Sequence, residues 1–134
     1  LVKVGGVADK VRIFSTVPAL DTAVCDLETR RFNEEASKLP DVAIETISVD
    51  LPMAQKRWCG AAGATAVRTL SDHRATAFGD AYGLTMASGP LTRFLARAVF
   101  VVDKAGVVRH AEYVPDITQH PNYDAALAAA KAAS

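Results

Sequence analysis

The residues best suited to chemistry in this chain are its two cysteines, Cys25 and Cys59. Cys25 closes the stretch PALDTAVC, Pro18 to Cys25, in which a proline, an aspartate and a threonine precede a run with helical spacing. A cysteine in the first turn of a helix meets unpaired backbone N–H groups and the positive end of the helix dipole, and both favour the thiolate over the thiol. The Thr22 hydroxyl, just ahead of it, is placed to bond the helix end or whatever approaches the sulfur. Pro18 fixes φ where the preceding segment ends and brings no N–H that needs a partner. The same residues also fit a plain capped helix, with Asp21 or Thr22 as N-cap and Cys25 as a small core residue, because unpaired cysteines are among the most buried side chains. Asp26 and Glu28 oppose activation, since negative charge close to a thiol disfavours the thiolate.

The elements that would position Cys25 follow from residue type and period. VRIFSTV, Val11 to Val17, is rich in β-branched and aromatic residues and predicts a strand that ends before Pro18. From Asp21 to Leu39 the pattern is helical, with Val24, Leu27, Arg31 and Glu35 on one stripe and Phe32 and Ala36 widening it; Pro40 closes the helix. Val42 to Asp50 predicts a second strand, and Pro52 to about Gly60 a short helix with proline in its first turn. Ala66 to Asp72 predicts a short strand, and Ala75 to Gly83 a short helix stopped by glycine. Ala96 to Val114 is a hairpin turning through Asp103 to Gly106, and Tyr123 to Ala133 is a helix on propensity alone. This order predicts an α/β fold: a mixed sheet covered by helices on both faces, completed by an antiparallel pair. A thioredoxin-like fold has that order.

Composition sets the outer bounds. A chain of 134 residues, half of them hydrophobic and 22% charged, is expected to form one domain with a sizeable core. Fifteen basic residues balance 15 acidic ones, so no overall field gathers nucleic acid or anionic lipid. The longest apolar runs, such as AVFVV at Ala98 to Val102, are far shorter than the roughly 20 residues a membrane span needs, and no signal-peptide pattern opens the chain, so a soluble protein is expected. His73, His110 and His120 stand apart and form no metal-ligand spacing with cysteine or carboxylate; they are expected to be surface or hairpin residues. There is no local signature of a Cys–His protease and no glycine-rich phosphate loop.

The stretch IFSTVPALDTAVC carries a P-x-x-x-T-x-x-C signature and, with SVDLPMAQKRWCG, AYGLTMASGPL, LARAVFVVD and PNYDAALAAAK, resembles the thiol peroxidase subfamily of the peroxiredoxins, the atypical two-cysteine kind. The resemblance covers nearly the whole chain. It implies a peroxidatic role for Cys25, whose thiolate would attack a hydroperoxide and become a sulfenic acid. It implies that Thr22 and Arg97 hold the peroxide oxygens and that Pro18 shields the pocket. Arginine suits this role because it stays charged and offers several donors in one plane. Cys59 matches the resolving cysteine, which closes an intrachain disulfide. The resemblance further implies thioredoxin as reductant, no cofactor, a homodimer and a bacterial cytoplasmic location.

The readings of single residues keep their alternatives. Arg97 also fits a surface ion pair, although its place before AVFVV puts it at the start of a strand facing the domain. Cys59 also fits a buried thiol without a role. If it resolves Cys25, the two cysteines lie on different helices, and unless they already sit close, one or both helix ends must unwind in each cycle; Gly60 and Gly63 ease that. Trp58 fits either a packing residue or a hydrophobic cover that moves when the disulfide forms. Lys56 and Arg57 fit a docking face for a reductant or a solvated helix face. Two features depart from the family pattern: the sequence starts at Leu1, so the N-terminal hairpin that the resemblance implies is either trimmed from it or missing, and Asp26 and Glu28 stand where small uncharged residues usually follow the cysteine. Three functions remain on these grounds: a peroxidase recycled by thioredoxin, a peroxide sensor or relay passing oxidation to a partner, and a thioredoxin-fold module with inert thiols.

Overall fold

A computed structural model describes residues 1–134. β1 (Val11–Thr16) is buried along its whole length, as a strand lying mid-sheet must be. It is followed by α1 (Ala23–Lys38), β2 (Val42–Ser48), α2 (Pro52–Ala62) and β3 (Arg68–Ser71). The second half contains α3 (Ala77–Tyr82), β4 (Ala98–Val102), β5 (Val108–Tyr113) and α4 (Tyr123–Ala133). The five strands form one sheet in the order β3-β2-β1-β4-β5. β1 runs parallel to β2, and β2 to β3, while β4 is antiparallel to both β1 and β5.

Alternation along β1 sorts the core into two faces. Val11, Ile13 and Val17 join Phe32, Trp58, Val99, Val101 and Ala126 in one cluster, which places α1, α2 and α4 on that face. Phe14 points the other way, toward Phe78, Leu84, Leu95 and Phe100, where α3 packs. The expected mixed sheet with helices on both faces is therefore the observed one, and each expected element lies within a few residues of its place. In the β4–β5 hairpin, Gly106 has φ of 89°, and an added Cβ would meet the Gly6 backbone at 2.9 Å, so both the turn and the close chain crossing require glycine.

Two expectations are corrected. The inward face of α1 is not the Val24, Leu27, Arg31 and Glu35 stripe but Cys25, Glu28, Thr29 and Phe32, and Leu27 is 55% exposed. Apolar spacing misled here because two of the inward residues are polar groups that find partners inside the fold. α2 also continues through Gly60 to Ala62 and stops at Gly63, whose φ of 65° suits a glycine cap that returns its N–H to the Cys59 carbonyl.

Candidate active site

Cys25 lies in the first turn of α1 and has no exposed surface. The loop that leads to it is fixed at several points. The Val17 N–H donates to the Ile47 carbonyl (3.0 Å), and the Leu20 N–H donates to Asp50 Oδ2 (3.0 Å), so the chain stays anchored to β2 after β1 ends. Pro18 is buried between these anchors, where its missing N–H leaves nothing unpaired. Thr22 is the N-cap residue by backbone conformation, but neither it nor Asp21 caps the helix with its side chain. The Thr22 hydroxyl instead donates to the Ala19 carbonyl at 2.8 Å, which leaves its oxygen able to accept a hydrogen bond at the exposed rim of the site.

Arg97 stands just before β4 and is 1% exposed, which removes the surface ion-pair reading. Thr16 holds the backbone on both sides of it, donating to the Ala96 carbonyl at 2.8 Å and the Ala98 carbonyl at 3.3 Å. Arg97 Nη2 donates to Cys25 Sγ at 3.3 Å and to the Ile117 carbonyl at 2.8 Å. Nη1 donates to Glu28 Oε2 at 2.5 Å, and Nε reaches the Ile117 carbonyl at 3.3 Å. One planar guanidinium thus aims a cation at the sulfur while its other donors are occupied, an arrangement that a single-nitrogen ammonium cannot copy. Its N–H groups and charge match a thiolate and, later, negative oxygen at the same place.

Glu28 and Ser15 belong to this site, and neither was expected there. Glu28 is 0% exposed, and its Oε1 accepts from the Ser15 hydroxyl at 2.9 Å. Burial pushes its carboxyl up to about 7 against the pull of the Arg97 guanidinium and the Ser15 bond. The local signals were legible in principle: Ser15 shares the inward side of β1 with Ile13, and Glu28 lies one helical turn beyond Cys25. Asp26 turns elsewhere, accepting from Arg30 Nε at 2.8 Å and from Trp58 Nε1 at 2.9 Å, so its charge is engaged by a cation outside the pocket.

Cys59 lies in the last turn of α2, partly buried, with its sulfur 3.8 Å from Thr69 Oγ1 on β3. It packs against the same core cluster that contains Cys25, and both cysteines are free thiols. The structure therefore brings Pro18, Thr22, Cys25 and Arg97 to one end of α1, and places Cys59 on the neighbouring helix facing β3.

Comparison with known proteins gives the family. The Redoxin family model matches residues 1–127. Over 123 residues the chain is 57% identical to the thiol peroxidase of Bacillus subtilis, covering 92% of this chain and 72% of that one. The Staphylococcus aureus thiol peroxidase is 52% identical, over 92% of this chain and 73% of its own length. Among solved structures, a peroxiredoxin-like protein from Aquifex aeolicus superposes with a TM-score of 0.93 at 42% identity, covering 98% of this chain and 76% of that one. A buried cysteine under an arginine, on this sheet and in this sequence company, places the chain in the Redoxin family, as a peroxiredoxin of the thiol peroxidase kind.

Proposed function

We propose that residues 1–134 act as one peroxiredoxin domain that reduces hydrogen peroxide and alkyl hydroperoxides at Cys25, with thioredoxin as reductant. The observation that carries this reading is the 3.3 Å approach of Arg97 Nη2 to the buried Cys25 sulfur at a helix N-terminus. The Cys25 thiolate attacks the terminal oxygen of the hydroperoxide; the O–O bond breaks, and the leaving alkoxide or hydroxide takes up a proton as alcohol or water. Negative charge grows on both oxygens in that displacement, so donors set in place beforehand stabilise the transition state more than the bound peroxide. The Arg97 guanidinium supplies those donors, the Thr22 oxygen accepts from the O–H of the bound peroxide, and Pro18 shields the pocket from water. Cys59 Sγ then attacks the sulfenic sulfur, the S–O bond breaks, and the hydroxyl leaves as water with the Cys59 proton. Thioredoxin reduces the resulting intrachain disulfide by exchange. The reading extends to a cytoplasmic homodimer working without a cofactor; no helix is long and apolar enough to cross a membrane.

Steady-state peroxide reduction with thioredoxin and its reductase tests this. Continuous turnover that disappears in Cys25→Ser supports the peroxidase. Stoichiometric oxidation without turnover, ending in a mixed disulfide with another protein, would replace it with the sensor or relay reading.

A further inference from the structure

The two cysteines are tied together by their neighbours rather than by each other. Asp26 follows Cys25, Trp58 precedes Cys59, and the Trp58 indole N–H donates to Asp26 Oδ1 at 2.9 Å. The second carboxylate oxygen of Asp26 accepts from Arg30 Nε at 2.8 Å, and the Arg30 guanidinium lies 5.6 Å from the centre of the Trp58 ring. Trp58 is buried in the core cluster beside Cys25, so this small network pins the last turns of α2 against the first turns of α1.

The two sulfurs face different partners, Cys25 toward Arg97 and Cys59 toward Thr69 on β3. For Cys59 to reach the Cys25 sulfur, the turn carrying Trp58 and Cys59 must leave β3, or the turn carrying Cys25 and Asp26 must unwind. Either movement separates the indole from the carboxylate. We propose that the Asp26–Trp58–Arg30 network is a latch that holds the resolving helix folded and sets the rate at which the disulfide closes. Resting on the proposed resolution of Cys25 by Cys59, this assigns Trp58, Asp26 and Arg30 as positioning residues for the second chemical step and leaves the first untouched. The latch also sets how long the sulfenic acid stays exposed to a second peroxide, and hence how readily Cys25 passes to the sulfinic form.

Rapid mixing with one equivalent of hydrogen peroxide, quenching with a thiol-alkylating reagent and mass spectrometry separate the two steps. Trp58→Phe keeps an aromatic ring and removes the donating N–H. It is expected to consume peroxide at the parent rate and to close the disulfide about three- to tenfold faster, the range for losing one partly exposed, charge-assisted hydrogen bond. Excess peroxide should then yield proportionally less sulfinic acid. Asp26→Ala, which keeps the protein's only tryptophan, should also close faster, with the change in indole emission coinciding with disulfide formation rather than with peroxide consumption. Closure in both variants at the parent rate or slower overturns the latch while leaving the peroxidase cycle standing. Cys59→Ser runs alongside: if the parent, like this variant, forms no intrachain disulfide, resolution by Cys59 fails and the latch falls with it.

Discussion

Replacing Glu28 with glutamine keeps the side chain's shape and its acceptor for Ser15 but removes the charge that burial opposes. In the folded protein this carboxyl is pushed from its usual 4.5 up to about 7, chiefly because it is buried, with Arg97 pulling the other way. Below about pH 4.5 the carboxyl is protonated whether the chain is folded or not. Between about pH 4.5 and 7 the unfolded chain gives up the proton and the folded one keeps it, so the folded state binds more protons and loses stability as pH rises. Above about pH 7 both forms are ionised and the contribution levels off. A displacement of that size corresponds to roughly 3 kcal/mol. Glu28 has no exposed surface, so solvent screening does not reduce the figure. Glu28→Gln cannot titrate, and subtracting its unfolding free energy from the parent's cancels what other groups contribute. Urea denaturation of both proteins from about pH 4.5 to pH 7.5 should show the parent losing roughly 2–4 kcal/mol relative to the variant across that range. A difference that stays flat would mean that Glu28 remains ionised throughout and that the Arg97 ion pair outweighs burial, refuting the reasoning.

Arg97→Lys keeps the charge but offers one nitrogen for Cys25, Glu28 and the Ile117 carbonyl; its second-order rate constant with hydrogen peroxide should fall about 10- to 100-fold, the cost of one or more charge-assisted hydrogen bonds, as read by stopped flow. Cys25→Ser should bring coupled turnover with thioredoxin down to background, because a serine hydroxyl is hardly ionised near neutral pH. On the opposite face of the sheet from Cys25, a Cβ at Gly79 would come within 2.5 Å of Leu95 Cδ2 and Thr85 Oγ1. Gly79→Ala should therefore lower stability by about 1–3 kcal/mol in denaturation, with the rate of the peroxide step unchanged.

Most of the frame was legible because its signals are local. β-Branched runs, Pro52 at the head of α2 and glycines at Gly83 and Gly106 mark where elements begin and turn within a few residues. Cys25, Thr22 and Pro18 were legible for the same reason, lying within one turn and one loop. What the sequence hid were pairings across distance. Glu28 is charged and reads as solvated, yet its partner Arg97 is 69 positions away, and only the folded sheet shows that the two share a buried site. Asp26 reads as an opponent of the thiolate beside it, until Arg30 and a tryptophan 32 positions downstream are seen to engage it. The inward stripe of α1 was misassigned for the same reason: a periodicity count gives no weight to a glutamate that is buried because it is paired.

Mass spectrometry of the intact protein after a single equivalent of hydrogen peroxide tests the proposed division of labour between the two cysteines. The parent should lose two hydrogens, as Cys25 and Cys59 join, while Cys59→Ser should gain one oxygen at Cys25 and stall there, drifting to the sulfinic form with excess peroxide. A parent protein that gains oxygen and keeps its two thiols unlinked would contradict resolution by Cys59, and one that shows no modification at Cys25 would contradict the site itself.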